Sequence, residues 1–294
     1  MVAHAAQRGL PRGGAPYHRR MRQHATVRTE AEGPVVAIDA GNSAAKLAPV
    51  IAGRVGPVVR LPGPPPDPVA LAARISGIGG PVARVALVSV VPAWTEAVRE
   101  ACDHAGLSLL IATRETIPLP SALPVAARPG ADRLLAAWAA RELAGSPVIV
   151  ADLGTATTVD LVGPDGDFRG GAILPGAGLA LAALARAAAL LPEVPLAAPE
   201  RAAGRGTEEA IRAGVLLGQI GAIREIAARQ AAELGLTERP HLIATGGITA
   251  LPWMAELLTA PAGPGLGPVA DRVEPELLLR ALGALVAAQQ PVAA

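Results

Sequence analysis

The sequence predicts a mixed α/β protein built from two related halves that face one cleft, and three observations carry that reading. Val148 to Asp160 reads V-I-V-A-D-L-G-T-A-T-T-V-D, an apolar strand that delivers Asp152, then Gly154, then the hydroxyls of Thr155, Thr157 and Thr158. Val35 to Lys46 reads V-V-A-I-D-A-G-N-S-A-A-K, with Asp39 in the place of Asp152 and Gly41 in the place of Gly154. Around the first copy the apolar segments run β-β-β-α-β-α-β, an order that suits a mixed α/β domain.

The elements follow in chain order. Residues 1–33 are Arg-rich, acid-poor and without apolar periodicity, and read as a disordered basic tail that holds Tyr17, the single tyrosine. Val35–Ile38 is the first strand, with Lys46–Ile51 and Val55–Leu61 as hairpin partners, and Pro62–Pro68 is a proline-rich loop. Val69–Ile75 reads as a short helix, Arg84–Val90 as a strand, Ala93–Ala105 as an amphipathic helix and Leu107–Ile111 as a short strand. Pro118–Pro129 is irregular. Gly130 marks a turn, Asp132 stands where an N-cap would, and Leu134–Leu143 is a helix.

Val148 opens the second half, which places the halves at 34–145 and 146–294. Asp160–Phe168 is a hairpin turning at Pro164, Asp165 and Gly166. Gly171 and Gly176 read as positions of close approach, and a helix runs from Ala177 to Leu191. Thr207 reads as the N-cap of a long helix, Glu208 to about Leu234, with Glu208 and Glu209 favourable in its first turn. Gly214, Gly218 and Gly221 share one face of that helix, which implies a close helix–helix contact across a dimer axis. His241–Thr245 is a strand ending in Gly246-Gly247, and Glu274–Gln289 is the terminal helix.

Composition narrows the function classes. A net charge of +1 makes no overall case for nucleic acid or a membrane surface. The single cysteine, Cys102, excludes an internal disulfide and a cysteine metal cluster and points to a reducing, cytoplasmic setting. The apolar run 177–191 is too short to span a bilayer. The chain has a single lysine, Lys46, and a single asparagine, Asn42, and both fall inside one octet. Lysine is a compact point charge suited to phosphate.

These residues suit phosphoryl transfer, which needs phosphates held in line, charge neutralised and a base at the attacking hydroxyl. Glycine turns let backbone N–H groups approach an anion. Asp39 would orient Mg²⁺ through water, since Mg²⁺ keeps several waters. Asn42, Ser43 and Lys46 would meet phosphate oxygens. Asp132 is the candidate base, and Arg133 would clamp a substrate carboxylate bidentately. The Gly246-Gly247 turn offers a flat surface for an adenine.

The duplicated D-x-G-[NT] hairpins with a later T-G-G resemble the acetate kinase, sugar kinase, Hsp70 and actin superfamily. That resemblance implies two ribonuclease-H-like domains with the active site between them. Within it, the ordered set D-A-G-N-S-A-A-K (39–46), G-A-D-R (130–133), D-L-G-T-A-T-T-V-D (152–160), G-G-A-I-L-P-G (170–176), G-T-E-E-A-I-R-A-G (206–214) and A-T-G-G (244–247) resembles type III pantothenate kinases. The family's reaction converts ATP and pantothenate to ADP and 4′-phosphopantothenate, the first step of coenzyme A synthesis. The resemblance implies that Asp39, Ala40, Gly41, Asn42, Ser43, Ala44, Ala45 and Lys46 bind ATP and Mg²⁺, with Thr155, Gly246 and Gly247 on the nucleotide. It implies that Gly130, Ala131, Asp132 and Arg133 line the pantothenate pocket, with Asp132 as proton acceptor. Asp152 would bind a monovalent cation, K⁺ or NH₄⁺, and Thr207 would reach pantothenate from the partner subunit of a homodimer. Other readings on the same fold are a catalytically weak regulatory or transcriptional accessory factor and a kinase for another small hydroxy acid or sugar. The chain departs from the family pattern where a tyrosine followed by Asn-Pro is usual: Leu123 and Val125-Ala126 stand there. Val159 also stands where the family often has Phe.

Overall fold

The computed structural model describes residues 34–289 apart from 83, 128 and 264; the expected basic tail, Tyr17 included, lies outside the described residues. The first sheet is built from β1 (Val35–Ala40), β2 (Ala44–Ile51), β3 (Arg54–Val55), β4 (Val59–Pro62), β5 (Arg84–Ser89) and β6 (Leu109–Ile111). The second holds β7 (Val148–Leu153), β8 (Ala156–Val162), β9 (Phe168–Pro175), β10 (His241–Thr245) and β11 (Arg272–Val273). Their orders are β3-β2-β1-β5-β6, with β4 also on β2, and β11-β10-β7-β8-β9. Read from its other edge, the second sheet repeats the first: an antiparallel meander followed by two parallel strands. This is the expected α/β, ribonuclease-H-like arrangement, present twice.

Helices α1 (Pro68–Ser76) and α2 (Pro92–Ala105) cover the outer face of the first sheet, around buried Trp94, Leu71 and Ile75. Helices α4 (Ala177–Ala187), α5 (Thr207–Glu233) and α6 (Pro252–Thr259) cover the second sheet around Leu216, Ile223 and Leu258. Helices α3 (Ala131–Ala144) and α7 (Leu277–Ala288) fill the space between the sheets, in one apolar cluster that draws on β1, β5, β7 and β10. The helices cross over: α7, from the end of the chain, packs on β1 and β2, whereas α3 packs on β7 and β8. Gly283 allows the approach of α7, because a Cβ there would run into Val50.

Several expected boundaries move, each for a local reason. The strand expected over Val55–Leu61 is two strands, broken where Gly56 sits so close to the Pro49 ring that a Cβ would come within 2.8 Å of it. The strand expected from Leu107 begins at Leu109, since the Leu107 N–H closes α2 onto the Cys102 carbonyl at 2.9 Å. The helix from Ala177 stops at Ala187, ahead of Pro192. The terminal helix begins at Leu277, because β11 and Pro275 occupy the preceding stretch. Helix α6 was not expected, although Pro252 at its first position signals a start.

Candidate active site

Strand pairing puts the two acids at equivalent places. In the first sheet Asp39 is in register with Lys46 on β2, and Lys46 with Arg60 on β4. In the second sheet Asp152 is in register with Thr245 on β10 and Thr158 on β8. Cross-strand partners share a face, so each sheet presents a polar row at the strand ends. The rows open into one cavity of about 660 Å³, lined among others by Asp39, Lys46, Asp132, Asp152, Thr155 and Gly247. Gly41, Asn42, Ser43 and Ala44 also reach it. Strand alternation turns Ala40 and Ala45 into the core, 1% and 0% exposed, so only their backbone can serve a ligand.

Lys46 Nζ lies 3.5 Å from Asp39 Oδ2. The Ser43 and Thr155 hydroxyls meet at 2.8 Å, joining the turn after β1 to the turn after β7. Burial raises the Asp39 carboxyl, and Lys46 opposes the rise. Burial, and then the charge on Asp39, push Asp152 up to about 7. Asp132 acts on both acids in the same direction. The site therefore concentrates negative charge that a bound cation would relieve.

Two glycines shape the Asp152 turn. Gly246 has φ of 101°, and a Cβ there would meet the Asp152 carboxylate and the Leu153 backbone. A Cβ at Gly176 would meet the Gly154 and Thr155 carbonyls. The close-approach reading of Gly176 therefore holds, as it does for Gly171, which abuts the Val159 carbonyl. Beside the main cavity, Asp39, Lys46, Asp152, Thr245 and Gly246 are among the residues that line a space of about 10 Å³, roughly the room of one small sphere. The buried Thr245 hydroxyl there has no hydrogen-bond partner. A carboxylate and an orphaned hydroxyl on such a space fit a monovalent cation or its water.

The G-A-D-R segment differs from expectation in two ways. Gly130, not Asp132, is the N-cap of α3, and Asp132 lies within the first turn, where it accepts the Arg133 N–H at 2.9 Å. A Cβ at Gly130 would displace the Asp132 carboxylate from its present position. Arg133 does not point a free fork at a ligand. Its Nε donates to both oxygens of Asp160 at 3.1 Å, and its Nη2 also pairs with Asp160, whose side chain is 0% exposed. A buried carboxylate needs such a partner, and among the described residues Arg133 Nη1 makes no hydrogen bond. The guanidinium also lies 5.8 Å from the Phe168 ring centroid. Burial raises the Asp160 carboxyl, and the Arg133 hydrogen bond opposes it.

Thr207 is the first residue of α5, behind Gly206 as N-cap, and is exposed outside the cavity of its own chain. Gly214, Gly218 and Gly221 are exposed, and a Cβ at any of them would meet open space. Leu123, in the usual tyrosine position, packs within 3.5 Å of where a Cβ on Gly170 would lie. Sequence reasoning missed Gln219 and Gln230. These buried α5 side chains donate to the Thr157 hydroxyl and Pro175 carbonyl at 2.9 and 2.8 Å, and to the Val159 carbonyl at 2.9 Å, tying the β8–β9 hairpin to the helix.

Two sheets of the same ribonuclease-H-like order around a shared acidic, glycine-lined cleft define an actin-like ATPase or sugar kinase fold. A solved Campylobacter jejuni protein, described as a Baf family transcriptional activator, shares the fold with a TM-score of 0.54 at 17% identity, over 85% of this chain and 96% of that one. Within the fold class the chain belongs to the type III pantothenate kinase family, whose model matches residues 35–229. Relatives named type III pantothenate kinase include one from Thermomicrobium roseum, 42% identical over 58% of this chain and 66% of its own length. Another, from Moorella thermoacetica, is 37% identical over 67% of this chain and 74% of its own. The first figure means that the chain spans just under two thirds of the Thermomicrobium relative.

Proposed function

We propose that the chain transfers the γ-phosphoryl group of ATP to the 4′-hydroxyl of pantothenate, giving 4′-phosphopantothenate for coenzyme A synthesis. The observation that carries this reading is the opening of Asp132 into the same cavity as Asp39 and Asp152. The turns at Gly41–Ser43 and Gly154–Thr155 hold the phosphates through backbone N–H groups and hydroxyls. Lys46 neutralises charge on them. Asp132 accepts the acceptor alcohol's proton as the phosphoryl group moves, which requires only hydrogen-bond reach.

Asp39 would hold Mg²⁺ through water, and the ion would supply positive charge to neutralise the phosphates. Asp152 and Thr245 would hold K⁺ or NH₄⁺. Gly130, Ala131 and Arg133 form the pantothenate wall, Arg133 through Nη1, and Gly246-Gly247 backs the adenine. A second copy supplies Thr207 across a homodimer, with residues 34–145 and 146–294 as the two domains of each subunit. Among the described residues no helix is long and apolar enough to cross a membrane, and we place the enzyme in the cytoplasm.

The test is a coupled ADP-release assay with a panel of hydroxy acids and sugars. Release should depend on pantothenate, and on K⁺ or NH₄⁺ rather than Na⁺. Release driven equally by a sugar, or without any acceptor, would reject the substrate.

A further inference from the structure

We propose that Arg60, on the edge strand β4, is a second phosphate-binding cation for the nucleotide. The inference rests on reading the cleft as a nucleotide site and adds a residue outside the six segments that carry the family resemblance.

The register places Asp39, Lys46 and Arg60 side by side across β1, β2 and β4, so one carboxylate serves two cations. Lys46 uses that carboxylate, at 3.5 Å. Among the described residues Arg60 makes no ion pair or hydrogen bond. Like charges directly opposite each other on neighbouring strands are unfavourable, and an anion bridging them removes the cost.

Position agrees with charge. Arg60 lines the 660 Å³ cavity. Its side chain crosses to the second sheet: a Cβ placed on Gly247 would lie 3.5 Å from Arg60 Nη1 and 3.8 Å from Lys46 Cε. The two cations thus converge on the T-G-G turn after β10. A phosphate chain running from the Gly41 and Gly154 turns toward Gly247 passes between them. The planar fork of arginine suits two oxygens of such a chain, which the point charge of Lys46 does not cover. Arg60 is exposed and carries no core packing, so the fold does not require it.

The experiment measures binding of ATP, ADP and adenosine by calorimetry to the wild-type chain, Arg60→Ala and Arg60→Lys, with melting temperatures alongside. ATP and ADP should weaken about 10- to 100-fold in Arg60→Ala, the range of a lost charged hydrogen bond, and less in Arg60→Lys. Adenosine binding should be unchanged, and the ligand-free melting temperature of Arg60→Ala should be equal to the wild type or slightly higher, since the like-charge pair is gone. Equal loss for adenosine, or unchanged ATP and ADP binding, overturns the role of Arg60 while leaving the cleft a nucleotide site. A wild-type chain that binds no nucleotide overturns both.

Discussion

The Ser43 hydroxyl lies 2.8 Å from the Thr155 hydroxyl, a bond that spans the cleft and ties the turn after β1 to the turn after β7. The two side chains belong to duplicated hairpins, so their meeting joins equivalent points of the two halves.

A double-mutant cycle on nucleotide affinity reads this bond. Ser43→Ala and Thr155→Ala should each weaken ATP binding several-fold. The double variant should lose less than the sum of the singles, with a coupling of about 0.5–1.5 kcal/mol. Strict additivity would mean that the hydroxyls act independently.

The Arg133–Asp160 pair should matter more for stability than any exposed pair. Asp160→Asn leaves the partly buried Arg133 guanidinium without its counter-charge and should cost about 3 kcal/mol in chemical denaturation. Arg229→Ala, which removes an exposed pair with Glu225, should stay within about 0.5 kcal/mol. Equal effects would remove the structural role given to Asp160.

The raised carboxyl of Asp152 makes a pH prediction. Its folded value, about 7, lies above the ordinary 3.8, so the folded state holds this proton more tightly than the unfolded state. The contribution is favourable below the ordinary value and is lost as pH rises toward 7, by up to about 1.4 kcal/mol per unit. Asp152→Asn, which stays neutral, should therefore match the ligand-free wild type near pH 4. It should exceed the wild type in melting temperature at pH 8 in K⁺-free buffer. A constant difference across that range would show that Asp152 is not strained by its surroundings.

The glycine face of α5 tests the homodimer. Gly218 faces open space in the single chain, so Gly218→Leu should leave subunit folding intact. Against a closely packed partner helix the added side chain should shift the dimer toward monomer in sedimentation velocity. An unchanged oligomeric state would place the dimer contact elsewhere.

The duplicated acid–glycine strands were legible because each combines an apolar run with a sharp break in residue type. Their pairing with β2 and β8 followed from short turns. The cap of α3 was misread because an Asp near a helix start resembles an N-cap, whereas the glycine two residues earlier holds that place. The partner of Arg133 was not legible, since Asp160 is 27 residues away and only sheet geometry brings it near. Gln219 and Gln230 fall within the long helix, and nothing in their spacing marks them as anchors for β8 and β9. Arg60 was not singled out in the sequence, since only the strand register sets it beside Lys46.

Single-turnover kinetics on Asp132→Asn test the central claim most directly. Phosphoryl transfer to pantothenate should fall by about 100-fold or more, with ATP affinity within twofold of wild type. Transfer at the wild-type rate in this variant would contradict the account.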